Sequence, residues 1–265
     1  MMRVKLIQMT QNPIDIMWVA ARTCYSAKGP IEMWEDRYGK VSDGCEHTCE
    51  YIKQCTEKHW KLVKQVLSSG HESIAEGVSF TFAIEGVSRS LMAQLTRHRA
   101  GVVFSVQSQR YVEIKEDISL FEGKTFNPET YFQEEKIIEV LDKYFIWDHS
   151  SYPQFCTLVQ CLYNYLYQVR EGVKPEDARY ILPNATKTNI TMTINLRELM
   201  HVSALRLCTR ASLEIRNLFK AIKDEVKKGD ERLAELLVPT CEVLSYCPEH
   251  KGCGRKPSKE DIFKS

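Results

Sequence analysis

Cationic side chains are densest at Arg97-His98-Arg99, which is followed after eight residues by Ser108 and then by Arg110. Arginine is planar, stays charged at neutral pH and makes paired hydrogen bonds to phosphate oxygens. The serine and the backbone N–H groups of a loop would add uncharged donors. The pattern predicts a site for a phosphate or pyrophosphate, although a solvated helix end that carries favourable cations would look the same.

A second group of polar side chains surrounds a helix predicted from residue 195 to residue 209. Its members are Arg179, Asn195, Arg197, His201, Arg206 and Arg210. At about 100° per residue, Arg197 and His201 share one face of this helix. Arg206 lies nearly opposite Arg197 and shares a face with Arg210. A surface helix of a monomer would show this pattern, and so would a helix wedged between two ligand sites or two subunits.

His71 stands in Gly70-His71-Glu72-Ser73, directly after a predicted helix. A single histidine is more often structural than catalytic, but in a loop beside Glu72 and Ser73 it could line a cofactor. The residues alone leave both interpretations open. The sequence contains neither a glycine-rich dinucleotide fingerprint nor a P-loop, so a bound cofactor would not be held by a Rossmann turn.

Two stretches combine residue types that ligate metals. They are Cys45, His47, Cys49, Cys55 and His59 in one stretch, and Cys241, Cys247, His250 and Cys253 in the other. Neither has the tight paired spacing of a zinc ribbon. The start of the chain also lacks the apolar run of a signal peptide. We therefore predict that the ten cysteines are free thiols in a reducing cytoplasm and that no metal is bound.

Hydrophobic periodicity predicts strands and helices in an irregular order, which favours an α+β fold over a doubly wound sheet. Strands are predicted at 3–9, 78–87, 104–112 and 188–194. Helices are predicted at 15–25, 49–69, 89–98, 127–149, 151–171, from 174, at 195–209, 211–228 and 230–238. Ser88 and Asn195 are expected to cap the helices that follow them. The polar segment 27–48 and the Cys-rich tail are interpreted as surface excursions.

Composition places the chain among ordinary soluble globular proteins. It has 265 residues, of which 43% are hydrophobic and 27% are charged, and this length allows a sizeable core. The formal net charge of +1 creates no global field for nucleic acid or a membrane. No stretch approaches the roughly 18 apolar residues of a membrane span. Neither partner is expected, and any anion must be bound by a local group of cations.

The segment from Arg97 to Tyr111 resembles the signature of flavin-dependent thymidylate synthases, in which Arg-His-Arg precedes a serine by seven or eight residues. Four further blocks resemble family blocks in the same order: Ala20–Tyr25, Gly70–Ser73, Arg179–Pro183 and Asn195–Arg206. The resemblance spans residues 1–225 and rests on five ordered blocks rather than on one tripeptide.

This resemblance implies a fold, a reaction and an assembly. The fold would be a single α+β domain over residues 1–240, with a mixed, largely antiparallel sheet flanked by helices, an insertion at 27–48 and a tail at 241–265. The reaction would be the methylation of dUMP at C5 to dTMP, for thymidylate biosynthesis. Methylenetetrahydrofolate would donate the carbon, and NADPH-reduced FAD would donate the hydride. The family is homotetrameric with sites shared between subunits, which would explain the two polar faces of the 195–209 helix.

The matched blocks also imply roles for individual residues. FAD would contact His71, Ser73, Arg97, His98, Arg99, Gln107, Asn195, Arg197 and His201. The nucleotide dUMP would contact Gln94, Arg97, Gln107, Ser108, Arg110, Arg179 and Arg206. Arg206 is the expected catalytic residue, because a fixed cation beside the uracil stabilises negative charge as N3 ionises and so raises electron density at C5. Ser108 is expected to bind phosphate, since no base at an obvious spacing would make it a nucleophile.

The sequence departs from the family pattern at Val106, where many relatives carry Gln or Glu. Gln107 is expected to take over that role, and the register of the 100–107 loop stays open.

Three other classes of protein fit parts of the pattern. A thymidylate synthase that attacks C6 with a cysteine needs a Pro-Cys pair, which this sequence lacks. A nucleic-acid-binding module would use both arginine groups, but it predicts a broad basic face that the net charge of +1 argues against. An inactive nucleotide-binding protein of the same fold stays open.

Overall fold

The structure is a computed structural model, and it describes residues 2–38, 48–121 and 134–263. The strands are β1 (Arg3–Met9), β2 (Ser79–Ser88), β3 (Val102–Val106) and β4 (Lys187–Asn195). The α-helices are α1 (Pro13–Thr23), α2 (Pro30–Tyr38), α3 (Thr48–Ser68), α4 (Arg89–Leu95), α5 (Glu135–Tyr144), α6 (Tyr152–Arg170), α7 (Pro175–Ala178), α8 (Leu196–Arg206), α9 (Leu213–Gly229), α10 (Glu231–Glu235), α11 (Thr240–Leu244) and α12 (Lys259–Phe263). Short 3-10 turns occupy Glu72–Ala75, Ile118–Phe121 and Arg179–Ile181.

The four strands form one antiparallel sheet in the order β1-β2-β4-β3. Beside β3, the N–H of Gln107 donates to the oxygen of Asn189 at 2.9 Å, and the N–H of Asn195 donates to the oxygen of Gly101 at 2.8 Å. Alternate residues of β4 are buried, namely Thr188, Ile190, Met192 and Ile194. This period of two is that of a strand with one buried face, and it agrees with the strand predicted at 188–194. The predicted α+β fold with an antiparallel sheet is confirmed.

Backbone contacts divide the chain into two compact units. The first unit comprises Met1–Val4, Ala83–His98 and Phe104–Thr191, and the second comprises Lys5–Phe82, Arg99–Val103 and Met192–Ser265. In the first unit, helices α5 and α6 bury an apolar stripe that includes Ile137, Leu141, Phe155, Leu158, Leu162 and Tyr165. In the second unit, helices α1, α3 and α9 bury Met17, Trp60, Val63, Leu218, Phe219, Ile222 and Val226. Each stripe follows the helical period.

Two helices begin where their predicted caps stand. The Ser88 hydroxyl accepts the N–H of Leu91 at 2.9 Å at the start of α4. The Asn195 side-chain oxygen accepts the N–H of Glu198 at 2.9 Å at the start of α8. These short polar side chains satisfy backbone donors that the first turn of a helix leaves unpaired.

Strand β3 covers 102–106 rather than the predicted 104–112. The Ser108 hydroxyl accepts the N–H of Arg110 at 3.1 Å, and this local bond turns the chain away from the extended form. Helix α4 also ends earlier than predicted, at Leu95 rather than near residue 98.

Helix α8 ends at Arg206 rather than at residue 209. A turn follows it, in which the N–H of Ala211 donates to the oxygen of Cys208 at 3.1 Å. Arg210 therefore lies beyond the helix and pairs with Glu249 at 3.1 Å. The prediction that Arg206 and Arg210 share a helix face is wrong, because the helical period stops before Arg210.

The segment 27–48 is not only a surface excursion, as the sequence suggested. Its described part contains α2, on which Met33 and Arg37 are buried. The Arg37 guanidinium pairs with the Asp15 carboxylate of α1 at 3.1 Å. Residues 39–47 lie outside the described residues, as do residues 122–133, which include the start of the helix predicted at 127–149. In the described ranges, no helix combines the length and apolar character needed to cross a membrane.

Candidate functional site

Three arginines of the first unit form a group that we call the arginine cluster: Arg89, Arg110 and Arg179. Arg110 follows β3 and pairs with the Glu176 carboxylate at 2.6 Å. Arg179 begins the turn after α7, and its Nε donates to the backbone oxygen of Glu176 at 3.0 Å. Glu176 therefore holds two predicted dUMP contacts, Arg110 and Arg179, at one place.

Arg89 is the member of this cluster that the sequence motifs did not indicate. Burial and the positive charge of Arg179 lower the pKa of Arg89, so two like charges face each other here. The sequence offered one indication that Arg89 is unusual: it follows the Ser88 cap as the first residue of a helix. A cation there opposes the helix dipole, which favours anions at that end. The sequence therefore places a cation at a position that the helix itself does not favour.

Residues 107–110 are held against β4 beside the cluster. The Gln107 side-chain oxygen accepts a hydrogen bond from Asn189 at 3.1 Å, and the Gln107 backbone oxygen lies 3.5 Å from the Arg89 guanidinium. A cavity of about 100 Å³ adjoins Ser108. Ligand pockets typically measure about 300–1,000 Å³, so this cavity alone is too small for a nucleotide. Its position suits a small polar group, such as one end of a larger ligand.

His71 and Ser73 border a larger cavity in the second unit. The N–H of His71 donates to the oxygen of Val66 at 3.2 Å, and Gly70 supplies the positive φ of 84° that this helix ending requires. The cavity measures about 360 Å³ and is lined by Ala20, Ala21, Cys24, Tyr25, Leu62, Gln65, Val66, Ser69, His71, Ser73 and Ile74. This volume falls within the usual range of ligand pockets. The structure thus places two predicted FAD contacts at a cavity that can take part of a cofactor.

Asn195 holds the loop before β3 close to the start of α8. A Cβ added at Gly101 would lie 2.4 Å from the Asn195 amide nitrogen, and Gly101 has a φ of +64°. Only glycine accommodates both the close approach and this backbone conformation. Asn195 is therefore occupied as a helix cap and as a packing partner of Gly101, in addition to any role in binding FAD.

The remaining predicted residues on α8 have different surroundings. Arg197 is exposed and pairs with Glu76 and, at 3.7 Å, with Glu72. His201 is exposed as well, whereas Arg206 is partly buried at the last position of the helix. A cation there is also favoured by the helix dipole, so its position alone does not make it catalytic.

The Arg-His-Arg segment itself follows α4 as a turn. Arg97 and Arg99 are exposed, while His98 between them and Gln94 on α4 are partly buried. Arg97 and His98 belong to the first unit and Arg99 to the second. The structure brings together Gln107, Ser108, Arg110 and Arg179 in the first unit, and His71 with Ser73 in the second.

The fold and these clusters define a class: an α+β protein with a group of like-charged arginines in one unit and a ligand-sized cavity in the other. Comparison with known proteins identifies the family. Residues 5–230 match the family model described as thymidylate synthase complementing protein. The chain therefore belongs to this family, as the Arg-His-Arg block and its companions implied.

Individual relatives agree along nearly the whole chain. The flavin-dependent thymidylate synthase of Clostridium tetani is 36% identical, over 98% of this chain and 96% of that protein. The enzyme of the same name from Pyrococcus furiosus is 34% identical, with the same coverage of both chains. Among solved structures, thymidylate synthase X from Helicobacter pylori, crystallised with FAD and dUMP, matches with a TM-score of 0.64. It is 26% identical, over 89% of this chain and 97% of that one.

Proposed function

We propose that this protein methylates dUMP at C5 to give dTMP, with methylenetetrahydrofolate as carbon donor, FAD as cofactor and NADPH as reductant. The observation that carries the proposal is the arginine cluster, in which Arg110 and Arg179 stand at positions that the family motif matches. A relative of the same fold was solved with FAD and dUMP, which supports both ligands here. The product would serve thymidylate biosynthesis.

The arginine cluster is the proposed site of the dUMP phosphate. Arg89 and Arg179 repel each other, and a dianionic phosphate bound between them would attract both and so offset that repulsion. Arg110 is engaged by Glu176, so phosphate would compete with this carboxylate for the guanidinium. Ser108, Gln107, Gln94 and Arg97 would complete the nucleotide contacts.

The second unit carries most of the residues proposed for FAD. The 360 Å³ cavity bordered by His71 and Ser73 combines mainly aliphatic walls with a few polar groups, which suits part of a flavin cofactor. Arg197, His201, Asn195 and Arg99 would add polar contacts, together with Arg97, His98 and Gln107. Reduced FAD would supply the hydride that completes the new methyl group.

Arg206 is the proposed catalytic residue. Its fixed positive charge would stabilise the uracil anion formed when N3 ionises, and so raise electron density at C5. The partly buried position of Arg206 supports this role, because a cation shielded from water interacts more strongly with a developing charge. Ser108 would bind phosphate and would not form a covalent bond.

We further propose a cytoplasmic homotetramer whose sites draw on several subunits. Helix α8 supports this, since it presents exposed Arg197 and His201 and a partly buried Arg206. No nucleic acid and no membrane is expected as a partner, given the net charge of +1.

The decisive test is formation of dTMP from dUMP by the purified protein. We expect product only when methylenetetrahydrofolate, NADPH and FAD are all supplied, and we expect the protein to show a bound-flavin absorption spectrum. Omission of each component in turn provides the controls. Flavin binding without dTMP formation would favour the inactive nucleotide-binding protein, and absence of both would overturn the proposal.

A further inference from the structure

Four cysteines from separate stretches of the second unit line one small cavity. Cys208 follows α8, Cys241 lies on α11, and Cys247 and Cys253 belong to the tail. Their cavity measures about 60 Å³. In the sequence, only the last three stood close enough to be considered together, and Cys208 joins them through the fold.

The tail is tied back to α8 by specific bonds rather than lying loose on the surface. The Thr240 hydroxyl donates to the backbone oxygen of Ala204 on α8 at 3.0 Å. Cys247 forms a parallel bridge with Ser258, and its N–H donates to the oxygen of Pro257 at 2.7 Å. The backbone at Cys247 is thus positioned by pairing with the segment 257–258.

Hydrogen bonds to sulfur position one of these cysteines. The Thr209 hydroxyl and the backbone N–H of Arg255 both donate to the Cys253 sulfur. Gly254 stands between Cys253 and Arg255 and has a φ of +83°, which lets the N–H of Arg255 turn towards the Cys253 sulfur. Thiolate, rather than thiol, is the form of cysteine that binds metals.

The Cys241 sulfur lies within electrostatic range of Cys247 and of Cys208. A side chain at Gly252 would approach the Cys247 sulfur to 3.3 Å, so the tail packs closely there. None of the four cysteines forms a disulfide bond.

We propose that Cys208, Cys241, Cys247 and Cys253 bind one Zn²⁺ as a structural site that fixes the tail to the end of α8. Four sulfur donors are a set that zinc takes in tetrahedral structural sites. Four thiolates leave excess negative charge around a divalent ion. The cavity walls supply Lys251 and Arg255, which offset it, whereas Arg210 is already paired with Glu249 of the same cavity at 3.1 Å.

Binding requires a modest rearrangement. Among the described residues, no three His, Cys, Asp or Glu side chains stand close enough together to bind a metal ion, so the four cysteines must move to do so. Cysteine has a single side-chain torsion before its sulfur, so each sulfur would reach a shared metal ion through a change of this one torsion. Of the other Cys and His group, the side chains of Cys45, His47, Cys49 and Cys55 lie outside the described ones, and His59 is bonded to Asp15.

The test measures metal content in the full-length protein purified under reducing conditions. We expect about one zinc per chain by mass spectrometry of the metal, as for other tetrathiolate sites. Cys247→Ser should weaken zinc binding at least about tenfold in competition with a chromophoric chelator. Cys156→Ser, which removes a thiol in the first unit, is the matched control and should retain zinc.

A second measurement guards against misfolding of the Cys247→Ser variant. Metal-free wild-type protein is titrated with Co²⁺, and we expect the charge-transfer absorption that thiolate–cobalt bonds produce. Failure of the wild-type protein to bind Zn²⁺ and Co²⁺ would overturn the proposal. Zinc retained equally by Cys247→Ser and Cys156→Ser would overturn it as well.

Discussion

Two groups of charged side chains in this protein are built on opposite principles. In the arginine cluster of the first unit, Arg89 and Arg179 bring like charges together. In the second unit, the buried carboxylate of Asp15 is surrounded by donors. The Tyr38 hydroxyl and the His59 ring donate to it at 2.5 and 2.6 Å.

The charge of Asp15 is matched within the fold. Arg37 supplies the positive charge, and His59 also stacks on Trp18 at 3.9 Å between ring centroids. Burial raises the pKa of Asp15, but the bonds from His59 and Tyr38 and the charge of Arg37 outweigh it, and the net pKa is lowered. An ionised carboxylate only accepts hydrogen bonds, so the facing nitrogen of His59 carries the proton.

The difference separates a structural group from a binding group. Around Asp15 the charges are matched, and they join α2 and α3 to α1. In the arginine cluster Arg110 is paired with Glu176, but Arg89 and Arg179 repel each other, which costs stability unless an anion is bound. The comparison predicts that substitutions in the first group affect folding and that substitutions in the second affect ligands.

The largest expected effect follows from Asp15→Ala. This substitution breaks a buried ion pair with Arg37 and removes the acceptor of the bonds from Tyr38 and His59, and loss of one partner of a buried ion pair typically costs about 3–5 kcal/mol. Chemical denaturation should show this fall in the free energy of unfolding. Asp36→Ala, which removes an exposed carboxylate paired with Lys28, is the control and should change stability little. Equal effects of the two substitutions would contradict the structural role of Asp15.

Arg206→Ala should act on the reaction and spare the fold. Loss of an electrostatic stabiliser of the transition state lowers turnover by about 10²–10³-fold. The flavin spectrum should be retained, because FAD is assigned to other residues. Arg216→Ala, which removes an arginine outside the motif blocks, provides the control for dTMP formation. Near-normal turnover in Arg206→Ala would show that another residue activates the uracil.

Arg179→Ala should weaken dUMP binding while leaving stability unchanged or slightly raised. A charge-assisted bond to phosphate contributes about 1.5–3 kcal/mol, or roughly 10–150-fold in dissociation constant. Removal of Arg179 also relieves its repulsion of Arg89. Calorimetric titration with dUMP and thermal unfolding measure the two effects. Arg170→Ala, in the same unit, should leave dUMP affinity unchanged, and a similar loss in both variants would argue against a specific site.

The smallest effect concerns the pH dependence of stability. The pKa of Asp15 lies below its ordinary value of 3.8 in the folded protein. Its contribution is therefore fully present above that value and is lost as the pH falls through the lower folded-state pKa. Plots of unfolding free energy against pH across this acidic range should be flatter for Asp15→Asn than for the wild type. Identical slopes would mean that other carboxyl groups control acid unfolding.

Local features of the fold could be predicted from the sequence. The alternation in β4, the caps at Ser88 and Asn195, and the end of α3 at Gly70 depend on residues within a few positions of one another. Each is fixed by side-chain period or by a short-range hydrogen bond. The family could be predicted as well, because its motif blocks are defined by residue types and their order along the chain.

Other features depend on contacts between distant parts of the chain. The burial of α2 rests on Arg37 and His59 meeting Asp15 across separations of 22 and 44 residues. Arg89 joins Arg179, and Cys208 joins the cysteines of the tail, in the same way. The hydrophobic period of the sequence does not predict such contacts, because they follow from how helices and strands pack.

By itself, the sequence of this protein determined which residue types can perform its chemistry and the order in which they stand along the chain. Only the tertiary structure decided which charges are matched and which remain for a ligand. The reason is physical: the energy of a charge depends on its burial and on its neighbours in space, and both are set by packing. Arg97-His98-Arg99 illustrates the division, since its sequence identifies the family whereas Arg89, eight residues earlier, completes the cluster.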